Sequence, residues 1–88
     1  MAELIQRYEN RVEDDAGASY EVCVYGAARE DGTWEGWIEF RPAAGAGGGG
    51  GSARRTERET SQPNREALRY WASGLEPIYL EGAFARAR

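Results

Sequence analysis

Apolar and polar positions alternate strictly from Gly32 to Phe40, GTWEGWIEF, and this rhythm predicts a half-buried antiparallel strand. One face of that strand carries Trp34 and the other carries Trp37 beside Glu35 and Glu39. The pattern therefore places Trp34 in the core and leaves Trp37 exposed on a charged face.

The segment from Tyr20 to Ala28 alternates in the same way, and the two strands are expected to form a hairpin. A two-residue turn at Asp31 and Gly32 would mix the core and solvent faces. A three-residue loop, residues 30–32 with Gly32 left-handed, keeps the faces matched. This register pairs Val22 with Phe40, Val24 with Ile38, Gly26 with Gly36, Tyr25 with Trp37 and Glu21 with Arg41.

Two further segments are assigned to the sheet. Residues 4–12 suit a strand or a helix, and the strand is favoured because no capping residue precedes Leu4. Residues 54–60, RRTERET, alternate without an apolar face and predict a charged edge strand in which Thr56 and Thr60 point inward.

The C-terminal part of the chain predicts helices. The apolar spacing of residues 67–75 predicts a helix that ends at Gly74 in a left-handed conformation. Residues 77–87 favour a second helix over a fifth strand, and their helical face is expected to be formed by Ile78, Tyr79, Gly82 and Ala83. The ring of Trp71 is expected to fill the space that Gly26 and Gly36 leave on the sheet.

Together these elements predict an α+β fold within a single domain, residues 1–88. Its antiparallel meander of three to four strands has one face covered by one or two C-terminal helices. The glycine-rich stretch at about residues 43–53 offers no side chains to bury and predicts a flexible loop.

Composition excludes several function classes. The net charge of −4 argues against general binding to nucleic acid or to anionic membranes. The chain has no histidine and a single cysteine, Cys23, which excludes histidine-dependent triads and thiolate zinc sites, and the thiol is expected to be buried. We expect no metal, no cofactor and no enzymatic activity. The sequence has no apolar run long enough to cross a bilayer, and its first ten residues lack the pattern of a signal peptide. Together these features predict a cytoplasmic protein.

Two surfaces remain as candidate sites. An exposed aromatic pair is a common interaction hot spot, and it predicts a binding or regulatory module acting through a protein partner or self-association. The candidate residues are Tyr25, Trp37, Glu35 and Glu39. The alternative is an RNA-associated module with a basic patch in residues 54–69. That patch would consist of Arg54, Arg55, Arg58, Arg65 and Arg69.

Two segments, GTWEGWIEF and RTERETSQPNREALRYWASGLEPIYLEGA, resemble a pattern found in small uncharacterised bacterial proteins over most of residues 20–85. This resemblance implies no activity. More distantly, two strands followed by a third strand and a helix are similar to HicB-type antitoxins, in which the sheet and helix cover a toxin nuclease. The second similarity is one of fold alone.

Overall fold

The computed structural model describes residues 1–43 and 52–88. In these ranges the chain forms the strands β1 Glu3–Arg7, β2 Val12–Glu13, β3 Ser19–Ala28, β4 Trp34–Pro42, β5 Arg54–Arg55 and β6 Thr60–Gln62, and the helices α1 Arg65–Ser73 and α2 Pro77–Arg86. Neither helix has the length and apolar character needed to cross a membrane. The predicted flexible loop falls mostly on residues 44–51, which lie outside the described residues.

The centre of the sheet is the β3–β4 hairpin, and its predicted register is confirmed at every pair, including Gly26 with Gly36. The three-residue loop is also confirmed. Gly32 has a φ of +88°, and the Arg29 N–H donates to the Thr33 carbonyl oxygen across 2.7 Å. The alternation of buried and polar side chains therefore sets the register of the hairpin.

The N-terminal edge is formed by strand, as favoured from the sequence, but it is divided in two. Both β1 and β2 pair antiparallel with β3, and β1 carries a bulge between Leu4 and Gln6. Tyr8 follows the last residue of β1, and its hydroxyl donates a hydrogen bond of 2.6 Å to the Ala72 carbonyl oxygen on α1. Burial raises the pKa of Tyr8 further above neutral pH.

The opposite edge is also divided. Arg55 pairs with Glu39 and Thr60 pairs with Gly36, so five residue steps on the edge segment span three on β4. The two extra residues bulge away, and the buried Thr56 hydroxyl accepts a hydrogen bond of 3.0 Å from the Ile38 N–H. Thr56 therefore points inward as predicted, and its side chain satisfies a backbone donor that the interrupted edge leaves without a carbonyl partner.

Asn64 caps the N-terminus of α1, where its side chain accepts a hydrogen bond of 2.8 Å from the Ala67 N–H. It ends at Gly74 as predicted, but the expected left-handed conformation is wrong, because the φ of Gly74 is −95°. The Gly74 N–H donates a hydrogen bond to the Trp71 carbonyl oxygen, and the Leu75 N–H donates one to the Ala72 carbonyl oxygen. This tightened last turn satisfies the terminal carbonyls without a left-handed residue.

The residue that packs over the paired glycines is Leu68, and the prediction of Trp71 is wrong. A Cβ atom built on Gly36 would lie 2.6 Å from Leu68 Cδ1, and one built on Gly26 would overlap Leu68 Cδ2. Trp71 lies one turn further on, half-buried, with its ring edge-on to Tyr79 at a centroid distance of 6.3 Å. The glycine pair therefore lets an aliphatic side chain approach the sheet backbone closely.

Helix α2 confirms the preference for a second helix but not the face predicted for it. Leu80 and Ala83 are buried, whereas Ile78 is 78% exposed. The ring of Phe84 packs against Tyr20 and Phe40, with both centroid distances at 5.0 Å. These two rings fix the Leu80, Ala83 and Phe84 side of α2 against the sheet, because Phe84 lies on that side.

Candidate functional site

Both helices pack on one face of the sheet, the face that carries Val22, Val24, Ile38 and Phe40. We call the opposite face the open face, because no helix within residues 1–43 and 52–88 lies on it. Its residues follow from the strand registers and the alternation of side chains. The open face is defined by Leu4, Arg7, Glu13, Glu21, Cys23, Tyr25, Glu35, Trp37, Glu39, Arg41 and Arg55.

Trp37 lies on the open face as the alternation predicts, but the expectation that its ring is exposed is wrong. The side chain is buried, with 6% of its surface exposed, and both Trp34 and Trp71 are less shielded. The Arg55 guanidinium lies 4.5 Å from the Trp37 ring centroid. The indole N–H donates to Glu39 Oε2 across 3.0 Å. Neighbouring charged side chains therefore cover this ring in the absence of a covering helix.

The accessible centre of the open face lies beside Trp37. Leu4, Tyr25 and Trp37 form one row across three strands, and Leu4 is 41% exposed while Tyr25 is half-buried. The Arg41 guanidinium lies 5.3 Å from the Tyr25 ring centroid and donates to Glu39 Oε1 across 3.1 Å. That hydrogen bond raises the pKa of Arg41. Tyr25 therefore packs against the Arg41 guanidinium and remains open to a partner.

Cys23 occupies the next row of the open face, between Arg7 on β1 and Glu39 on β4. The thiol is buried, as predicted. Burial raises the pKa of Cys23, and the nearby charges of Arg7 and Arg41 oppose that rise only in part. Because the thiol stays protonated at neutral pH, Cys23 is a poor nucleophile.

The charges on the open face are arranged in pairs. Arg7 lies 3.9 Å from Glu21, and Arg41 lies 3.1 Å from Glu39. Glu13, Glu35 and Arg55 are the exceptions, since within residues 1–43 and 52–88 none of them takes part in an ion pair. Exposed pairs of this kind contribute little to stability. They therefore remain available to rearrange when a partner approaches.

The five arginines predicted as a basic patch, Arg54, Arg55, Arg58, Arg65 and Arg69, do not share one surface. Arg54 lies on the helix-bearing face, 4.7 Å from the ring centroid of Phe84, whereas Arg55 lies on the open face. Arg65 donates to Glu3 across 2.8 Å, at the other end of β3 from Arg54. The arrangement does not form the continuous basic stripe that binding to a nucleic acid backbone requires.

One polar cluster was missed from the sequence. Glu59 accepts hydrogen bonds of 2.6 Å from the Tyr79 hydroxyl and from Arg86 Nη2. Burial, and next the contact with Glu59, raise the pKa of Tyr79. Tyr79 and Arg86 are seven residues apart, which is two helical turns and therefore one face, but nothing in the sequence points to Glu59 as their partner. The cluster ties α2 to the β5–β6 connection.

The polar groups around one surface depression serve local structure. A depression of about 460 Å³, open to solvent, is lined in part by Asp14 and Arg54. The Asp14 carboxylate accepts from the backbone N–H groups of Ala18 and Ala16, and the first of these contacts is the main cause of its lowered pKa. Asp14 therefore stabilises a turn. The described part of the chain contains no group of three or more His, Cys, Asp or Glu residues suited to a metal ion.

Comparisons with protein-family models, with curated proteins and with solved structures found no match to this chain. The role of each residue on the open face therefore follows from its position and contacts.

Replacing Arg55 by alanine should expose Trp37. In a Trp34→Phe and Trp71→Phe background, Trp37 is the only indole, so acrylamide quenching reports on it alone. We expect weak quenching with Arg55 present and stronger quenching without it, with a stability loss of about 0.5 to 1 kcal/mol for the lost cation–π contact. Arg69→Ala, an exposed arginine on α1, is the matched control. Equal quenching in the two alanine variants would show that Arg55 does not shield the ring.

Proposed function

We propose that this protein is a small non-enzymatic protein-binding module that uses the open face of its sheet. The observation that carries the proposal is that both helices pack on one face, while the other face presents the exposed Leu4 and the half-buried Tyr25. Protein interfaces commonly have an apolar centre with a polar rim, and the charged pairs around these two side chains supply such a rim.

The chemistry of the open face favours binding over catalysis. Cys23 is buried with a raised pKa, which makes it unsuited to nucleophilic attack. Glu39 uses both carboxylate oxygens, one for the Trp37 N–H and one for Arg41. General acid–base catalysis needs a free group in a cleft that holds the substrate. The depressions around Asp14, Arg11, Arg55 and Tyr8 are not lined by Glu35 or Glu39.

Tyr25 is the central binding residue in this proposal. Tyrosine is enriched at interface hot spots because it adds a large ring and a hydroxyl at a low cost in side-chain entropy. Arg41 lies over one side of the ring and restricts it further. A partner that packs on Tyr25 and Leu4 therefore meets a surface that is already ordered.

The test compares two double variants that remove the same kinds of side chain. Tyr25→Ser with Leu4→Ser changes the open face, and Tyr70→Ser with Ile78→Ser changes the most exposed apolar side chains of the helices. Each chain is immobilised and exposed to a bacterial lysate. We expect at least one protein that the wild type and the helix variant retain and the open-face variant loses.

Circular dichroism must first show that both variants are folded. If every protein retained by the wild type is also retained by the open-face variant, the binding surface lies elsewhere. Loss only in the helix variant would move the site to Tyr70 and Ile78.

A further inference from the structure

We propose that the partner of the open face is a second copy of this chain, in a face-to-face dimer in which Glu35 of each copy pairs with Arg41 of the other. This inference rests on the proposed function, because it names the occupant of the same surface. It follows from the charge balance of the open face, the positions of its unpaired and shared charges, and its size.

The open face is nearly neutral although the chain is not. It carries three arginines and four glutamates, a net charge of −1, whereas the whole chain has a net charge of −4. The remaining surface therefore carries −3, since −4 less −1 is −3. Two copies that meet through the remaining surface bring together, on average, more negative charge than two copies that meet through the open face. The charges of the open face are Arg7, Arg41, Arg55, Glu13, Glu21, Glu35 and Glu39.

The positions of Glu35 and Arg41 are related by a two-fold axis. They stand six residues apart on the same face of β4, which is a distance of about 20 Å along the strand. An axis parallel to the sheets, perpendicular to the strands and level with Ile38 exchanges the two ends of β4. Two open faces packed about this axis therefore place Glu35 of each copy opposite Arg41 of the other, and the contact forms twice.

The same axis brings together side chains of different size at the centre. On β3 it passes level with Val24, which is paired with Ile38. Tyr25 of one copy then faces Cys23 of the other, so a large ring lies opposite a small side chain. Facing sheets pack about 10 Å apart with interdigitated side chains, and alternation of large and small residues suits that spacing.

Both members of the proposed contact are free to make it. Glu35 forms no ion pair with any cation in the described part of the chain. Arg41 uses one of its N–H groups on Glu39, and 55% of its side chain is exposed. A guanidinium has five N–H donors, so Arg41 can donate to a second carboxylate without losing the first.

The area of the open face indicates a weak dimer. The ten residues of β3 span about 33 Å, and four strand positions span about 19 Å, which gives about 600 Å² for each copy. The total of about 1,200 Å² lies at the lower limit for specific interfaces. We therefore expect a monomer–dimer equilibrium in the micromolar range or weaker.

The experiment is sedimentation equilibrium of the full chain from micromolar to millimolar concentration. The wild type should dimerise. Glu35→Arg and Arg41→Glu should each weaken self-association at least about tenfold, because each places like charges opposite one another twice. A mixture of these two variants should restore association, since one copy then carries arginine at both positions and the other carries glutamate at both.

The matched controls are Glu66→Arg and Arg69→Glu, which make the same charge changes on the exposed side of α1. Both should dimerise like the wild type. Circular dichroism checks that all four variants are folded. A monomeric wild type at millimolar concentration would overturn the inference, as would undiminished dimerisation of the two open-face variants or a mixture that associates no better than they do alone.

These outcomes separate the inference from the proposed function. If the wild type is monomeric but the Tyr25→Ser and Leu4→Ser variant loses another bound protein, the open face binds a different partner and only the inference fails. If the wild type is monomeric and the variant loses nothing, both fail.

Discussion

Replacement of Leu68 by alanine is expected to lower the free energy of unfolding by about 2 to 5 kcal/mol, the range for a leucine removed from a packed core. Leu68 is fully buried, and its two methyl groups occupy the space above Gly26 and Gly36. The glycines have no side chains that could move into the cavity, so collapse of the site is limited. Denaturant unfolding measures the loss, which is a large share of the stability of a small domain.

Gly36→Ala tests the same contact from the sheet. Its Cβ would lie 2.6 Å from Leu68 Cδ1 and 3.3 Å from Thr60 Cγ2, so the leucine must move, at a cost of about 1 to 3 kcal/mol. In the Gly36→Ala and Leu68→Ala double variant the obstacle is absent and the new methyl group occupies part of the cavity. We therefore expect the two losses to be less than additive.

The matched control for this pair is Gly82→Ala on α2. The nearest atom to its Cβ would be Arg86 Nη1 at 3.8 Å, so alanine fits. It should stabilise the helix by about 0.5 to 1 kcal/mol, because alanine restricts the unfolded chain more than glycine does. Strict additivity of Gly36→Ala and Leu68→Ala would show that Leu68 does not pack on Gly36.

The hairpin register could be predicted from the sequence because side chains alternate between the two faces of a strand. An odd or even number of loop residues therefore decides whether the core faces of the two strands match. Of a two-residue loop and a three-residue loop at Gly32, only the three-residue loop keeps Val22, Val24, Ile38 and Phe40 on one face. The choice between Leu68 and Trp71 is of another kind. Both face the sheet side of α1, and which of them reaches the glycines depends on the position of the helix along the sheet, which periodicity does not specify.

The candidate site could be predicted only in part for a similar reason. Alternation correctly assigns Tyr25 and Trp37 to the face opposite the helices. It does not reveal that Arg55 lies over Trp37, because that contact depends on how the edge segment is aligned with β4. The alignment includes two extra residues in the edge segment. The hydrogen bond from the Ile38 N–H to the Thr56 hydroxyl, which accommodates them, joins residues that are far apart in the sequence.

Phe84→Ala is expected to lower the free energy of unfolding by about 3 kcal/mol, the lower end of the range for phenylalanine because the ring is half-buried. The ring contacts both Tyr20 and Phe40, and Arg54 lies over it at 4.7 Å. Removal of the ring takes away both aromatic contacts at once and leaves α2 held to this end of the sheet by smaller side chains. Thermal and denaturant unfolding should agree on the loss.

Ile78→Ala on the same helix is the matched control, since it also shortens an apolar side chain but at a position that is 78% exposed. It should change stability by less than about 0.5 kcal/mol. The pair of variants distinguishes the two faces of α2 directly, because the face predicted from the sequence includes Ile78 and the face in the structure includes Phe84. If Ile78→Ala costs as much as Phe84→Ala, or if Phe84→Ala is neutral, then α2 packs through the face that contains Ile78 and Tyr79.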